Sequence, residues 1–83
     1  MKLPRAISGY DLARLLSRLG YEVTRQKGSH MRLTCPAAGV RPKHHISIPN
    51  HDSLKIGTLA GILDDIATAQ GITRDALIEL LFG

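Results

Sequence analysis

Four histidines stand out in this chain of 83 residues, and all of them fall between positions 30 and 51. An imidazole has an ordinary pKa of about 6.5, so it can give or take a proton near neutrality where most other side chains cannot. His30 ends the run Arg25-Gln26-Lys27-Gly28-Ser29-His30, and Arg32 follows two residues later. A proton-transfer group among cations and hydroxyls suits work on a phosphodiester. RNA carries its own nucleophile, the 2′-OH beside the scissile phosphate, so such a reaction can proceed without a metal. It needs a general acid or base, which contributes roughly 10²–10⁴-fold, and cations aimed at the phosphorane charge. The plainer reading of His30 is a surface histidine on a hairpin.

The other candidates divide by geometry. His44 and His45 are neighbours. Adjacent strand residues point to opposite faces, so the pair cannot readily share one ion, and neither a metal nor a cofactor is expected. His51 follows Asn50 at a turn. It reads as a loop-stabilising histidine or as a second proton-transfer or phosphate contact. Arg25, Lys27, Arg32 and Lys43 suit phosphate contacts better than catalysis, and plain surface charge accounts for them equally well. Gly57-Thr58 opens a helical pattern, where free backbone N–H groups can hold a phosphate; helix initiation is the simpler explanation. Cys35 alternates onto the apolar side of its strand, so a reactive thiol is not expected.

Charge is unevenly spread. The chain has eleven Lys or Arg against seven acids, a formal +4. Residues 1–60 hold ten of the cations and three acids (Asp11, Glu22, Asp52), an excess of +7, while residues 61–83 hold Arg74 against four acids, a balance of −3. A basic face suits a polyanion, either nucleic acid or an acidic protein; solvated surface charge is the bland alternative. The length suits one small domain spanning residues 1–83, with a thin margin of stability. Hydrophobic residues at 43% and charged residues at 22% are ordinary for a globular chain and argue against disorder. The only aromatics are Tyr10, Tyr21 and Phe82, so aliphatic side chains must build the core. No apolar run approaches the roughly 18 residues of a membrane span, and the N-terminal residues 1–5 lack the apolar stretch of a signal peptide. A lone Cys35 permits no internal disulfide. A reducing, cytoplasmic setting without membrane association is the expectation.

The elements that must position these residues follow from periodicity. Leu12, Leu15, Leu16 and Leu19 recur at helical spacing, which predicts an amphipathic helix over residues 8–20. Ser8 caps it with Asp11 three residues on, and Gly20 ends it. Three strands come next, over residues 21–26, 30–35 and 43–49. Tyr21 and Val23, then Met31, Leu33 and Cys35, then His44, Ile46 and Ile48 alternate with polar residues, as in an antiparallel sheet covered on one face. A three-residue loop, Lys27-Gly28-Ser29, is expected between the first two strands, with Gly28 at positive φ; residues 36–42 make a looser second connection. Leu59, Ile62, Leu63 and Ile66 predict a second helix ended by Gly71. A short third helix starts at Thr73, with Ile72 and Leu77 placed as a hydrophobic staple. The fold class is α+β: a three-stranded antiparallel sheet with two helices on one face, in the α-β-β-β-α order of double-stranded-RNA-binding domains, plus a short C-terminal helix.

This alternation assigns Glu22, Thr24, Gln26, His30, Arg32, Thr34, Lys43, His45 and Ser47 to the open face. It pairs Gln26 with His30 and sets His30 opposite Ser47 or Pro49, with His51 a diagonal neighbour just beyond the strand.

At Gly28-Ser29-His30 a family pattern emerges. Leu3-Pro4-Arg5 precedes Ser8-Gly9, and a Leu-rich helix ends in Leu19-Gly20-Tyr21. Then come Arg25-Gln26-Lys27-Gly28-Ser29-His30, Ile48-Pro49-Asn50-His51, and Gly57-Thr58-Leu59 with Ile62. With these features running nearly end to end, the sequence resembles the HicA toxin family of bacterial HicAB toxin–antitoxin modules. The resemblance implies a ribonuclease that cleaves mRNA, a fold similar to double-stranded-RNA-binding domains, and a cognate HicB-type antitoxin as partner. The family's catalytic histidine maps onto His30. The expected RNA contacts are Arg25, Lys27, Gly28, Ser29, Arg32, Lys43 and His51. Two departures stand out: Met31 occupies a position where the family often has an aromatic residue or histidine, and the connection over residues 36–42 is longer than a tight hairpin. Beside this endoribonuclease reading stand two others, a binding-only RNA module using the same face and an adaptor whose basic face docks an acidic protein.

Overall fold

The structure, a computed structural model, describes residues 3–83; Met1 and Lys2, part of the N-terminal stretch considered above, lie outside the described residues. Helix α1 spans Gly9–Leu16 and continues as a 3₁₀ turn, Ser17–Leu19. Strands β1 (Glu22–Lys27), β2 (His30–Cys35) and β3 (His44–Pro49) follow, then helices α2 (Ile56–Gln70) and α3 (Arg74–Phe82). The α-β-β-β-α order with an added C-terminal helix is the one expected. The sheet is antiparallel, with β2 central.

Local chemistry sets the boundaries. The Ser8 hydroxyl accepts the Asp11 N–H at 3.0 Å, and the Thr73 hydroxyl accepts the Ala76 N–H at 3.0 Å, each satisfying a donor that a helix start leaves unpaired. Gly20 and Gly71 stop α1 and α2 in the left-handed region, with φ of 92° and 71°, where a side chain would strain the backbone. The first helix is thus shorter in α form than its leucine stripe implied, because its last turn tightens to 3₁₀ before Gly20.

Both long helices lie on one face of the sheet. Leu12 and Leu16 of α1, Met31 and Leu33 of β2, Ile48 of β3, and Leu59, Leu63 and Ile66 of α2 are fully buried together. Helix α3 adds Leu77 and Ile78 against α2. A bidentate pair from Arg74 to Asp64, at 2.6 and 2.5 Å, joins α3 to α2 on the outside. The molecule measures 18 Å along its shortest axis, room for one layer of helix over one of sheet, with the second sheet face left bare. Val23 points to the covered side, opposite Leu33, yet is half exposed. It lies on an edge strand, beside an open groove that it lines together with Tyr10, Ala13 and Ser17, contrary to its expected place in the core.

One junction brings α1 against the end of β3. The Gly9 N–H donates to the His51 carbonyl at 3.0 Å, and a methyl group on Gly9 would collide with the Pro49 carbonyl oxygen. Gly9→Ala is therefore expected to lower the unfolding free energy by about 1–3 kcal/mol through overpacking. Gly61→Ala, in the middle of α2 with open space around it, is expected to raise it by about 0.5–1 kcal/mol. Urea unfolding of the two variants beside the parent chain measures both.

Candidate nucleic-acid interface

The open face is assembled by a change of register in β1. Val23 pairs with Leu33 but Arg25 pairs with Arg32, so two residues of β1 span one step of β2. Such a bulge turns the side chains that follow it onto the other face. Arg25 and Lys27 therefore share a side with Arg32, and Lys27 pairs with His30. Gln26, expected opposite His30, instead pairs with Met31 on the helix side, where its amide reaches the Tyr10 hydroxyl at 3.4 Å. The loop shortens accordingly. Lys27 and His30 are paired strand residues, and only Gly28 and Ser29 join them, with positive φ (59°) at Gly28 alone. This is the pattern of a II′ hairpin turn with glycine in first place, not the three-residue loop expected.

The resulting basin, of about 440 Å³, is lined by Arg25, Lys27, His30, Arg32, His45 and Ser47. That volume falls in the range of ligand-sized pockets. Its described lining holds three permanent cations and two imidazoles and no carboxylate. His30 sits opposite Pro49, and Arg32 opposite Ser47, as one of the two expected registers requires.

The remaining expected contacts are not among the residues that line the basin. Lys43 precedes β3 and is exposed. Gly28 forms the turn, and the Ser29 carbonyl accepts the Asn50 N–H at 2.6 Å, tying the turn to the end of β3. His51 is exposed beyond β3 and uses its carbonyl to hold Gly9; its side chain is not among those lining the basin. Gly57 and Thr58 fall in the first turn of α2, also outside the basin.

His44 and His45 point to opposite sides, as adjacent strand residues must. His44 faces α2, its Nδ1 2.6 Å from the Tyr21 hydroxyl and its Nε2 3.4 Å from Asp65. Burial pushes the Tyr21 phenol above its ordinary pKa. His45 faces the basin. Its Nδ1 is 2.8 Å from the Thr34 hydroxyl, which is 2.8 Å from the Thr24 hydroxyl, which donates to the Arg32 carbonyl at 3.3 Å. This chain covers Thr34, the one buried polar residue on the open face. Desolvation, then the charges of Arg32, Lys43 and His44, hold the His45 imidazole below its ordinary pKa. His45 and Ser47 were placed on the open face by strand alternation but not counted among the candidate contacts; both line the basin. Arg25 and Lys27 share its floor only because of the bulge.

A family model described as the HicA toxin of bacterial toxin–antitoxin modules matches residues 9–67, from the start of α1 into the last turns of α2 and across the whole sheet. The chain belongs to the HicA toxin family. No curated protein and no solved structure matches it. Membership makes this HicA chain a toxin, with a cognate antitoxin as the partner of its module. Among the described residues no helix is long and apolar enough to cross a membrane.

The environment of His45 predicts that its ring titrates below the ordinary histidine value of about 6.5, so that it is neutral at pH 7. Side-chain ¹H–¹⁵N NMR followed across pH measures this directly, and an ordinary or raised midpoint would contradict it.

Proposed function

We propose that this HicA toxin is a metal-independent endoribonuclease that cleaves mRNA, with His30 as a proton-transfer group and the basin holding the phosphate backbone. The observation that supports this reading most is the placing of Arg25, Lys27 and Arg32 around His30 in a basin without a carboxylate. A phosphate seated there meets cations before and during the reaction, as the phosphorane gains charge. The substrate's 2′-OH is the nucleophile, so the protein need supply only proton transfer and charge. A shallow face accommodates single-stranded RNA, whose backbone can lie across a sheet. The chain's small stock of aromatics leaves base stacking a minor part of binding. A HicB-type antitoxin seated over the same face would silence the toxin by excluding RNA.

His30→Ala is expected to keep the fold and to abolish both growth arrest and RNA cleavage, while wild-type cleavage persists in EDTA. A fully toxic His30→Ala chain would overturn the reading. RNA binding without cleavage by the wild-type chain would favour a non-catalytic module on the same face. Arg25→Ala and Lys27→Ala are each expected to weaken RNA binding and to reduce the slope of log affinity against log salt by about 0.7, the value for one single-strand phosphate contact. Gln26→Ala, on the other side of the strand, should leave that slope unchanged in the same titration. In the antitoxin complex His30 is expected to be protected from histidine-directed chemical modification; undiminished reactivity would point to inhibition from a distance.

A further inference from the structure

Cleavage by an internal 2′-OH moves two protons, one off the nucleophile and one onto the departing 5′-oxygen. His30 can serve only one of these at a time. The inference here rests on the endoribonuclease reading and names the group for the other proton.

The hydrogen bonds around His45 decide which of its nitrogens carries hydrogen. A carbonyl oxygen can only accept, so all three contacts are hydrogen bonds at once only when the Thr24 hydroxyl gives its single proton to the Arg32 carbonyl. The Thr24 oxygen must then accept from the Thr34 hydroxyl, 2.8 Å away. With that proton committed, the Thr34 oxygen accepts in turn from His45 Nδ1, again at 2.8 Å. The neutral ring is thereby set in the Nδ1–H form, and its Nε2 bears the lone pair. No other hydrogen bond engages this ring among the described residues, and it lines the basin. A ring held by one nitrogen and open at the other is a base with its tautomer already chosen.

We propose that His45 is the general base of the cleavage reaction and His30 the general acid. Nε2 of His45 takes the 2′-OH proton as the 2′-oxygen bonds to phosphorus. The bond from phosphorus to the 5′-oxygen breaks, and that oxygen takes a proton from the His30 imidazolium. The products are a 2′,3′-cyclic phosphate and a 5′-hydroxyl end, and exchange with water returns each ring to its starting state. The strand register suits this assignment. His45 lies opposite Thr34, four residues along β2 from His30, with Arg32 and Ser47 paired between them. Four residues of strand span about 13 Å, which leaves a phosphate on Arg32 with one imidazole on either side, as in-line displacement requires.

The charges facing His45 favour its neutral form. Arg32 acts on it from β2, and Lys43 and His44 from beside it in the chain; Arg25, Lys27 and His30 line the same basin. The acid on this side of β1, Glu22, stands across β2 from His45 through Thr34, but it is not among the residues that line the basin. The sign follows: the base is competent when deprotonated, so its contribution is lost, and activity falls, as pH drops through the His45 pKa.

His45→Asn tests the assignment, because the Asn amide can still donate to Thr34 while Nε2 is gone. Two RNA oligonucleotides are compared, one natural and one with sulfur replacing the 5′-bridging oxygen at the cleavage site, whose thiolate leaves without a proton. His45→Asn is expected to lose about 10²–10⁴-fold in cleavage of both, whereas His30→Ala loses that much only on the natural RNA. Affinity for a 2′-O-methyl version, which cannot react, should be unchanged by His45→Asn. Undiminished cleavage by His45→Asn, rescue of that variant by sulfur, or a loss of affinity matching the loss of rate would each overturn the proposal. A wild-type chain that cuts neither RNA would overturn instead the endoribonuclease reading on which it rests.

Discussion

Thr24 stands where β1 has one residue more than its partner, and the two flanking pairs, Val23 with Leu33 and Arg25 with Arg32, show the step. Strict alternation would have carried Arg25 and Lys27 to the helix side of the sheet. The extra residue turns both onto the open face beside Arg32, and it shortens the hairpin so that Lys27 stands directly across from His30. The same distortion lets the Thr24 hydroxyl reach the Arg32 carbonyl and the Thr34 hydroxyl. The two β1 cations of the basin therefore stand on the open face because of the bulge, beside the hydrogen-bond chain behind His45. Bulges recur beside functional sites because they re-aim side chains without disturbing the rest of a sheet, and here a single inserted residue redirects two charges.

The division between the two sheet faces explains how so small a chain can carry a site. The helices and their aliphatic core occupy one side, where the four acids of residues 61–83 lie on α2 and α3. The other side carries no core and holds the basin, where cations face solvent and can remain charged. The two neighbouring histidines show the effect of this partition on one residue type. His44, turned inward, meets a phenol and a carboxylate and fastens β3 to α2. His45, turned outward, meets a hydroxyl chain and positive charge. One step along a strand separates an imidazole packed against a helix from one turned to the basin.

The proposed reaction, whose nucleophile comes with the substrate, places few demands on protein depth. It needs cations near the developing charge and proton carriers in line with the scissile bond. An open face meets these demands and is equally accessible to a partner protein. Accessibility of this kind fits a toxin whose module includes an antitoxin, since one flat surface can admit RNA or be covered whole.

Much of the fold was legible in the residues. The leucine stripes of α1 and α2, the caps Ser8 and Thr73, and the stops Gly20 and Gly71 are local signals, each governed by side chains within a turn of one another. The alternation in β2 and β3 was equally plain, because apolar residues mark the covered face at every second position. In β1 the signal ran out. After Val23 its residues are Thr24, Arg25, Gln26 and Lys27, all polar, so nothing in the pattern distinguishes one face from the other or reveals an extra residue. Only pairing with β2, whose own register is held by Met31 and Leu33 in the core, decided which way those side chains turn. His30 could be found from its sequence neighbours. The setting of His45 could not, because the hydroxyls beside its ring lie 11 and 21 residues away along the chain and meet only when the three strands are assembled.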